Sequence, residues 1–381
     1  MSEAGPGVES RVLQVMPRSA GGIGHHVADV VRSLDGRDGL AIEVAAPRGV
    51  TVPMPKAVLA IEVPRGVRGR AASVARLRRM YRETGADVIH AHGLRAGVDA
   101  GIAARLERIP SAVTVHNLVR DEITGRGRAL VVRRMEGVAV RLADVVFAPS
   151  RQIASHLMSA VPSAASRIEV AYLPPPRPRV DRPAQEVRAE LGAADSDRLV
   201  ITVTRLVRQK ALDVLLEALV SLPSEFILAI VGEGYLAQEL RERAVSLGVA
   251  PRVRWLGWRD DVGDLIAAAD VFALSSVWEA VGLAAQEAVQ LGTPVVSTDV
   301  GGMGELIRDG WSGRLVAPGD PSALARALER TAGKAEGKRL AERAAQDYRR
   351  IFSRERTMEQ LARAYRELSA QSAHGAGSGS V

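Results

Sequence analysis

Residues 275–304 read SSVWEAVGLAAQEAVQLGTPVVSTDVGGMG and set two acids, Glu279 and Glu287, on either side of a glycine with seven residues between them. The run before it, Asp270 to Leu274 (DVFAL), has the composition of a buried strand. The run after Gly282 (LAAQEAVQL) is helical, with no breaker until Gly292 and Pro294. The segment is therefore strand, loop, helix. A helix that opens at Gly282 turns the amides of Val281, Gly282 and Leu283 outward, where donors and dipole together hold a phosphate or an anionic leaving group. Glu279 then sits in the loop and Glu287 within the first two turns. Carboxylates take strong hydrogen bonds from sugar hydroxyls, and acceptors spaced on both sides of an anion site suit two hydroxyl-rich rings flanking a diphosphate. The spacing fits a nucleotide sugar. At this point the plainer alternative stays open, in which Glu279 merely favours a helix N-terminus and Glu287 faces solvent.

Working outward, 381 residues of which 47% are apolar exceed what one core usually serves, and predict two domains. The absence of cysteine excludes disulfides and thiolate metal sites and is compatible with a reducing compartment. Residues 1–9 lack the blocks of a signal peptide and no apolar run approaches a membrane span, so a cytoplasmic location is expected. The net charge of +7 is uneven. Residues 1–180 carry 26 Lys or Arg against 16 Asp or Glu, leaving the first half at +10 and the rest at −3. Such a field favours an anionic partner. Aromatics at 3% and the lack of any zinc-finger or RNP-type signature argue against nucleic acid. A phospholipid surface or a lipid-linked diphosphate ranks first.

The chain opens with a strand, Arg11 to Met16 (RVLQVM), a glycine-rich turn holding Gly21, Gly22 and Gly24, and a helix with Val27, Val30, Val31 and Leu34 on one face. His25 and His26 occupy the places after Gly24, so the pattern is not G-x-G-x-x-G, which counts against a nicotinamide-dependent oxidoreductase. Further strands are expected at Ile42 to Ala45, Asp87 to His90, Ala112 to His116 and Asp144 to Ala148. The fragments Ala86-Asp-Val, Ala143-Asp-Val and Ala269-Asp-Val each join a helix end to a strand start, the rhythm of doubly wound parallel units. His116 ends its strand at the carboxyl edge, where ligands bind in such sheets. His90 and His92 have strand spacing, but no third metal ligand is evident, and they are read as structural or site-lining. Arg65 to Arg82 holds seven arginines and no acid, which keeps an interfacial role open beside the ordinary reading of a solvated helix face.

The proline-rich stretch 174–183 marks a boundary. Beyond it Leu199 to Val203 forms a strand, followed by a loop flanked by Arg205 and Lys210. Among 47 arginines and four lysines, a lysine here suits a phosphate oxygen. Trp258 and Arg259, after the strand Val253 to Leu256, are candidates to border a base. The composition turns helical through about Ser369, and residues 370–381 are expected to form a disordered tail.

The motif Glu279-Ala-Val-Gly-Leu-Ala-Ala-Gln-Glu287, with Gly292-Thr-Pro-Val-Val, Gly301-Gly302, Glu305 and Asp309-Gly310, resembles the signature of the family 4 retaining glycosyltransferases of the GT-B fold. The match runs from Gly21 to about Gly319. The resemblance implies an α/β chain of two Rossmann-like doubly wound domains facing a cleft: an acceptor domain at 1–175, a linker at 176–186, a nucleotide-sugar domain at 187–350, and a helix at 351–369 returning to the first domain. It implies that Arg205 and Lys210 hold the donor diphosphate, that Glu279 orients the sugar and Glu287 the ribose, that His116 lies at the sugar, and that Gly21, Gly22 and Gly24 lie against diphosphate and acceptor. Ala211 departs from the pattern, standing where a glycine commonly follows the lysine. The expected reaction moves a sugar from a nucleoside-diphosphate donor to a lipid-linked or glycan acceptor in cell-envelope or polysaccharide synthesis. It needs no cofactor or metal, since no D-x-D-type motif lies near these residues, and it takes place in the cytoplasm, with a place at the inner membrane face left open. The alternatives are transfer to a soluble small-molecule acceptor and a non-catalytic sugar-nucleotide binder.

Overall fold

The computed structural model describes residues 10–17, 22–48, 50, 52–61, 66–118, 126–173, 175 and 178–377. Gly21, Arg65, most of the proline-rich boundary at 174–177 and the last four residues lie outside them. The chain divides into two units, one of Met1–Leu173 with Arg354–Val381, the other of Pro174–Ser353.

In the first unit β1 (Ser10–Val15) leads to α1 (Gly22–Leu34), β2 (Leu40–Ala46), β3 (Val58–Ala60), α2 (Gly66–Thr84), β4 (Val88–His92) and α3 (Leu94–Glu107). Then come β5 (Ser111–Thr114), α4 (Arg126–Leu142), β6 (Val145–Ala148), α5 (Arg151–Ala160) and β7 (Ile168–Val170). The strands form one parallel sheet in the order β3-β2-β1-β4-β5-β6-β7. The second unit runs α6 (Ala184–Glu190), β8 (Arg198–Val203), α7 (Leu212–Ser221), β9 (Phe226–Val231), α8 (Ala237–Ser246), β10 (Val253–Gly257), α9 (Val262–Ala267) and β11 (Val271–Leu274). It continues with α10 (Leu283–Leu291), β12 (Val295–Thr298), α11 (Met303–Leu306), β13 (Arg314–Val316), α12 (Pro321–Thr331) and α13 (Lys334–Ile351). Its parallel sheet has the order β10-β9-β8-β11-β12-β13. In both sheets the order reverses beside the first strand, between β1 and β4 and between β8 and β11. Such reversals open a crevice at the carboxyl ends of the strands.

The repeated Ala-Asp-Val fragments have a mechanical reason. Asp87, Asp144 and Asp270 each stand just before a strand, and each carboxylate accepts an amide from the first or second residue of the neighbouring strand: Arg11 at 2.8 Å, Ser111 at 2.9 Å and Leu199 at 2.8 Å. The same aspartates donate their own amides to the carbonyls of those residues. A strand start is thus tied on both sides, which fixes register where a one-residue slip would turn the apolar face outward.

The last helix, α14 (Arg354–Gly377), belongs to the first unit. Met358, Leu361, Tyr365 and Leu368 join Val12, Met16, Val27 and Ile42 in one buried cluster, and Arg354 Nε donates to the Asp29 carboxylate at 2.8 Å. The helix does not stop at Ser369. Residues 370–377 are helical rather than a disordered tail, carried on by the alanines at 370, 373 and 376, which are strong helix formers.

The basic stretch also reads differently in three dimensions. Arg78 and Arg82 share Glu107 of α3 at 2.6 and 2.7 Å, Arg70 meets Asp99 of α3 at 3.0 Å, and Arg79 meets Glu83 at 2.6 Å. The acids absent from the sequence window are supplied by the next helix. Among the described residues, no helix is long and apolar enough to cross a membrane.

Candidate active site

At the β8/β11 reversal the loops after both strands meet. The loop after β8 ends in Lys210, whose ammonium donates to Glu279 Oε1 from the loop after β11. The Ser276 hydroxyl donates to the same oxygen at 2.7 Å. Both charged side chains are largely buried, 13% exposed for Lys210 and 8% for Glu279. Charges at that depth persist when paired and hydrogen-bonded. One of the three ammonium donors is used on Glu279, which leaves two to face an incoming anion.

The loops are stitched so that neither partner drifts. Val277 donates its amide to the Gln209 carbonyl at 2.9 Å, and Gln209 Nε2 donates to the Trp278 carbonyl at 2.9 Å. The Ser275 hydroxyl donates to the Lys210 carbonyl at 2.9 Å, and the Thr298 hydroxyl to the Ser276 carbonyl at 2.6 Å. From the other side Gly302 donates its amide to the Ala280 carbonyl at 2.8 Å. Gly301 permits this approach. With φ at +60° it lies in the left-handed region, and a Cβ there would fall 1.5 Å from the Glu279 carbonyl oxygen.

Gly282, also left-handed at φ +62°, precedes α10, whose first intrahelical bond is Gln286 N–H to the Gly282 carbonyl at 3.0 Å. The amides ahead of that bond, including those of Gly282 and Leu283, are the free donors of a helix N-terminus. Val281 is buried and anchors the turn. Glu287, one turn in, is half-buried rather than fully solvated. Burial pushes its carboxyl up to about 7, and it has no hydrogen-bond partner among the described residues. Arg205 is exposed and makes no ion pair among the described residues.

Beside this centre, a cavity of about 500 Å³ opens at the carboxyl ends of β9 and β10, lined by Leu206, Ile230, Gly232, Gly234, Trp255 and Gly257. Trp258 follows it and is 71% exposed. Arg259 is not free to read a base. Its guanidinium is spread over Asp261, at 2.7 and 2.6 Å, and Glu190, at 2.9 Å. Ala211, in the glycine's usual place, adopts the left-handed conformation at φ 42° with its methyl buried.

The first unit has a separate polar centre at its own β1/β4 reversal. Gly22 and Gly24 open α1 there, while Gly21 lies outside the described residues. His116 lies two residues past the end of β5 rather than within the strand, because the ladder stops at Thr114. It is buried, and with His26, His90 and His92 it forms a cluster of rings with centroids 4.3–5.9 Å apart. Desolvation, reinforced by neighbouring imidazoles, holds His92 and His116 well below the usual histidine range. It holds His90 at about 3 and, with burial the main cause, His26 at about 4. All four rings are neutral at pH 7, so His116 is not an imidazolium acid. The described residues contain no cluster of three or more His, Asp or Glu with metal-holding geometry.

Sequence reasoning missed Ser276, Gln14 and Tyr365. Ser276 was visible as a hydroxyl three residues before Glu279. Gln14 was a polar residue inside an apolar strand, and Tyr365 carried no local signal.

Comparison with known proteins bears on both units. Residues 183–347 match the family of glycosyl transferases group 1, and residues 20–174 match Glycosyltransferase Family 4. The lipopolysaccharide core biosynthesis glycosyltransferase LpsE of Rhizobium meliloti (strain 1021) is 39% identical over 169 residues, 44% of this chain and 49% of that protein. The D-inositol 3-phosphate glycosyltransferases of Mycobacterium marinum (strain ATCC BAA-535 / M) and Mycobacterium ulcerans (strain Agy99) are each 32% identical over 316 residues. In both cases 78% of this chain is covered, with 66% and 67% of theirs. The chain thus spans about half the length of the first of these relatives and about two thirds of the others. Anabaena Alr3699/HepE, solved with UDP and glucose, superposes with a TM-score of 0.80 at 24% identity, covering 93% of this chain and 99% of that one. WaaG, a glycosyltransferase involved in lipopolysaccharide biosynthesis, has a TM-score of 0.73 at 20% identity, covering 92% and 98%. These likenesses establish a GT-B fold.

Proposed function

The chain belongs to the glycosyl transferases of group 1, and from that premise we propose that it transfers a sugar from a nucleoside diphosphate to a glycan or lipid-linked acceptor with retention of configuration. The observation that carries this reading is the buried Lys210–Glu279 pair at the β8/β11 reversal, beside the open amides of α10. Transfer builds oxocarbenium character while a diphosphate departs, so the leading requirement is to stabilise the departing charge. Lys210, Arg205 and the amides at Gly282 and Leu283 supply it. Glu279, fixed by Lys210 and Ser276, presents its second oxygen to sugar hydroxyls. Glu287, half-buried on α10, accepts from the ribose. The base enters the cavity beside Trp255 and Gly257, under Trp258.

Glu279 is tied to a lysine and a serine and is therefore a poor nucleophile. The reading adopted is the same-face route, in which the leaving phosphate accepts the acceptor proton. His116, neutral, contacts the sugar as a hydrogen-bonding group. The donor is a UDP-sugar, in keeping with the UDP-glucose complex of HepE, and GDP-mannose is the competitor. The acceptor belongs to envelope glycan synthesis, as for LpsE. The +10 charge of the first half would favour an anionic membrane surface at low salt, though Arg70, Arg78, Arg79 and Arg82 are paired with acids, and among the described side chains of α2 Arg76 is exposed and outside these pairs.

A panel of nucleotide sugars, read by nucleotide release with and without chelator, tests the proposal. Release from one donor class, lost in Lys210→Met and kept with chelator, supports it. Binding without turnover for every donor and acceptor would instead indicate a sugar-nucleotide binder.

A further inference from the structure

The polar side chains buried at the β1/β4 reversal form a continuous chain whose direction is set by the Gln14 amide, with Nε2 toward Tyr365 and Oε1 toward His92. Gln14 on β1 donates Nε2–H to the Tyr365 hydroxyl of α14 at 2.9 Å. That hydroxyl has its own proton to place at this depth, and among the described residues the acceptor in reach is His90 Nδ1 at 2.6 Å, which leaves the proton of His90 on Nε2, facing Thr114 Oγ1 at 2.8 Å. On its other side Gln14 offers Oε1 to His92 Nε2 at 2.7 Å. A carbonyl oxygen only accepts, so His92 carries its proton on Nε2 and its Nδ1 is an acceptor. That Nδ1 lies 3.2 Å from His116 Nε2, which must donate. The one ring nitrogen left is His116 Nδ1, an unprotonated acceptor with no partner among the described residues. The adjoining residue outside this chain is His26, set edge-on to His92 and His116 and neutral through burial.

We propose that Tyr365, Gln14 and His92 act as a positioning relay that locks His116 in its Nε2–H tautomer and presents Nδ1 to accept a hydrogen bond from a hydroxyl of the ligand. The part of this that concerns the ligand rests on the sugar contact proposed above for His116. The tautomer assignment does not. Burying six polar side chains at a sheet edge is unfavourable unless each is satisfied, and a satisfied network specifies one arrangement of its members. Here the arrangement ends on a single free acceptor at the carboxyl edge of the sheet. Which nitrogen of a histidine carries the proton is set by the partner of the other nitrogen. His116 takes its instruction from Gln14 through His92, and the Tyr365 hydroxyl receives the amide hydrogen that this orientation of Gln14 presents.

The test is nitrogen-15 NMR of the full-length protein labelled at histidine, which reads the tautomer of each ring without requiring activity. His90, His92 and His116 are assigned by single substitutions. The expected result at pH 7 is a neutral Nε2–H state for all three, with His116 shifting to a mixture of tautomers in Tyr365→Phe and Gln14→Leu. A proton on His116 Nδ1 in the unaltered protein, or a tautomer unmoved by both variants, overturns the relay.

Kinetics supply a second readout. Gln14→Leu should lower kcat by about 10- to 100-fold with donor KM changed less than about twofold, and Tyr365→Phe, one link further off, should lower it less. In a His116→Ala background neither should lower kcat by more than about twofold again, because groups that act as a unit are not additive. Equal falls in both backgrounds would mean a structural role only and would overturn the relay. Full turnover in His116→Ala would refute the sugar contact, and the NMR result would then decide the relay alone.

Discussion

Replacing Lys210 by Met separates the two things its ammonium does. The side chain is 13% exposed and its partner Glu279 8%, so the pair lies well inside the protein. Removing one member of a buried pair typically costs about 3–5 kcal/mol, because the other charge is left without compensation. Ser276 still donates to Glu279 at 2.7 Å, and a hydrogen bond to a charged group recovers part of that. The expected loss is about 2–3 kcal/mol. All four tryptophans, at 255, 258, 278 and 311, lie in the second unit, so guanidinium unfolding followed by tryptophan fluorescence reads this unit alone. Glu279→Gln in the Lys210→Met background removes the orphaned charge, and most of the stability should return. Turnover should not return. The departing diphosphate still lacks its cation, and loss of one such stabilising donor costs about 100- to 1000-fold in kcat. Two results would refute the reasoning. A cost below about 0.5 kcal/mol for Lys210→Met would show that the pair is not buried as described. Recovered turnover in the double variant would show that the pair only holds the loops together.

Glu287, raised to about 7 by burial, is protonated in the folded protein at pH values where it is ionised in the unfolded chain. It therefore lowers stability as pH rises from the ordinary carboxylate range to about 7. Glu287→Gln should remove that decline in fluorescence-monitored unfolding while weakening donor binding in calorimetry. The histidine cluster acts with the opposite sign. His26 and His90 fall to about 4 and about 3, so the unfolded chain binds protons that the folded one refuses. Stability is then lost as pH drops below the ordinary histidine range, by up to about 1.4 kcal/mol per pH unit per ring. Melting followed by circular dichroism between pH 7 and 5 measures it, and His26→Phe should reduce the slope. Ala211→Gly relieves a left-handed alanine at φ 42°. It should raise the midpoint of the second unit by an amount equivalent to about 0.5–1 kcal/mol, and an unchanged or lower midpoint would show that the methyl's packing outweighs the strain.

What the sequence conveyed and what it withheld follow from one property of parallel sheets. Neighbouring strands are joined through a helix, so side chains that touch across a sheet edge are separated by tens of residues in the chain. Features that repeat along the chain were therefore legible: the βα rhythm, the Ala-Asp-Val strand starts and the helix that opens at Gly282. So were residues marked by rarity, such as Lys210 among arginines. Contacts between elements were not. The acid-free run from Arg65 to Arg82 suggested an unpaired basic face, yet Glu107 and Asp99 of the following helix neutralise much of it. Arg259 had the right type and place to border a base, but Asp261 and Glu190 had already claimed its donors. Gln14 and Tyr365 meet across 351 positions, a separation that no local pattern encodes. The strand itself still held a sign. A polar side chain in an otherwise apolar, fully buried run must find a partner at comparable depth. Gln14 in RVLQVM and the two histidines of VIHAH are such residues, and they occur on the two strands that flank the reversal of sheet order. Read together with the inferred topology, they point to the same edge as the glycine turn. For buried sites in doubly wound sheets, polar interruptions on the switch-point strands are thus a signal independent of loop motifs.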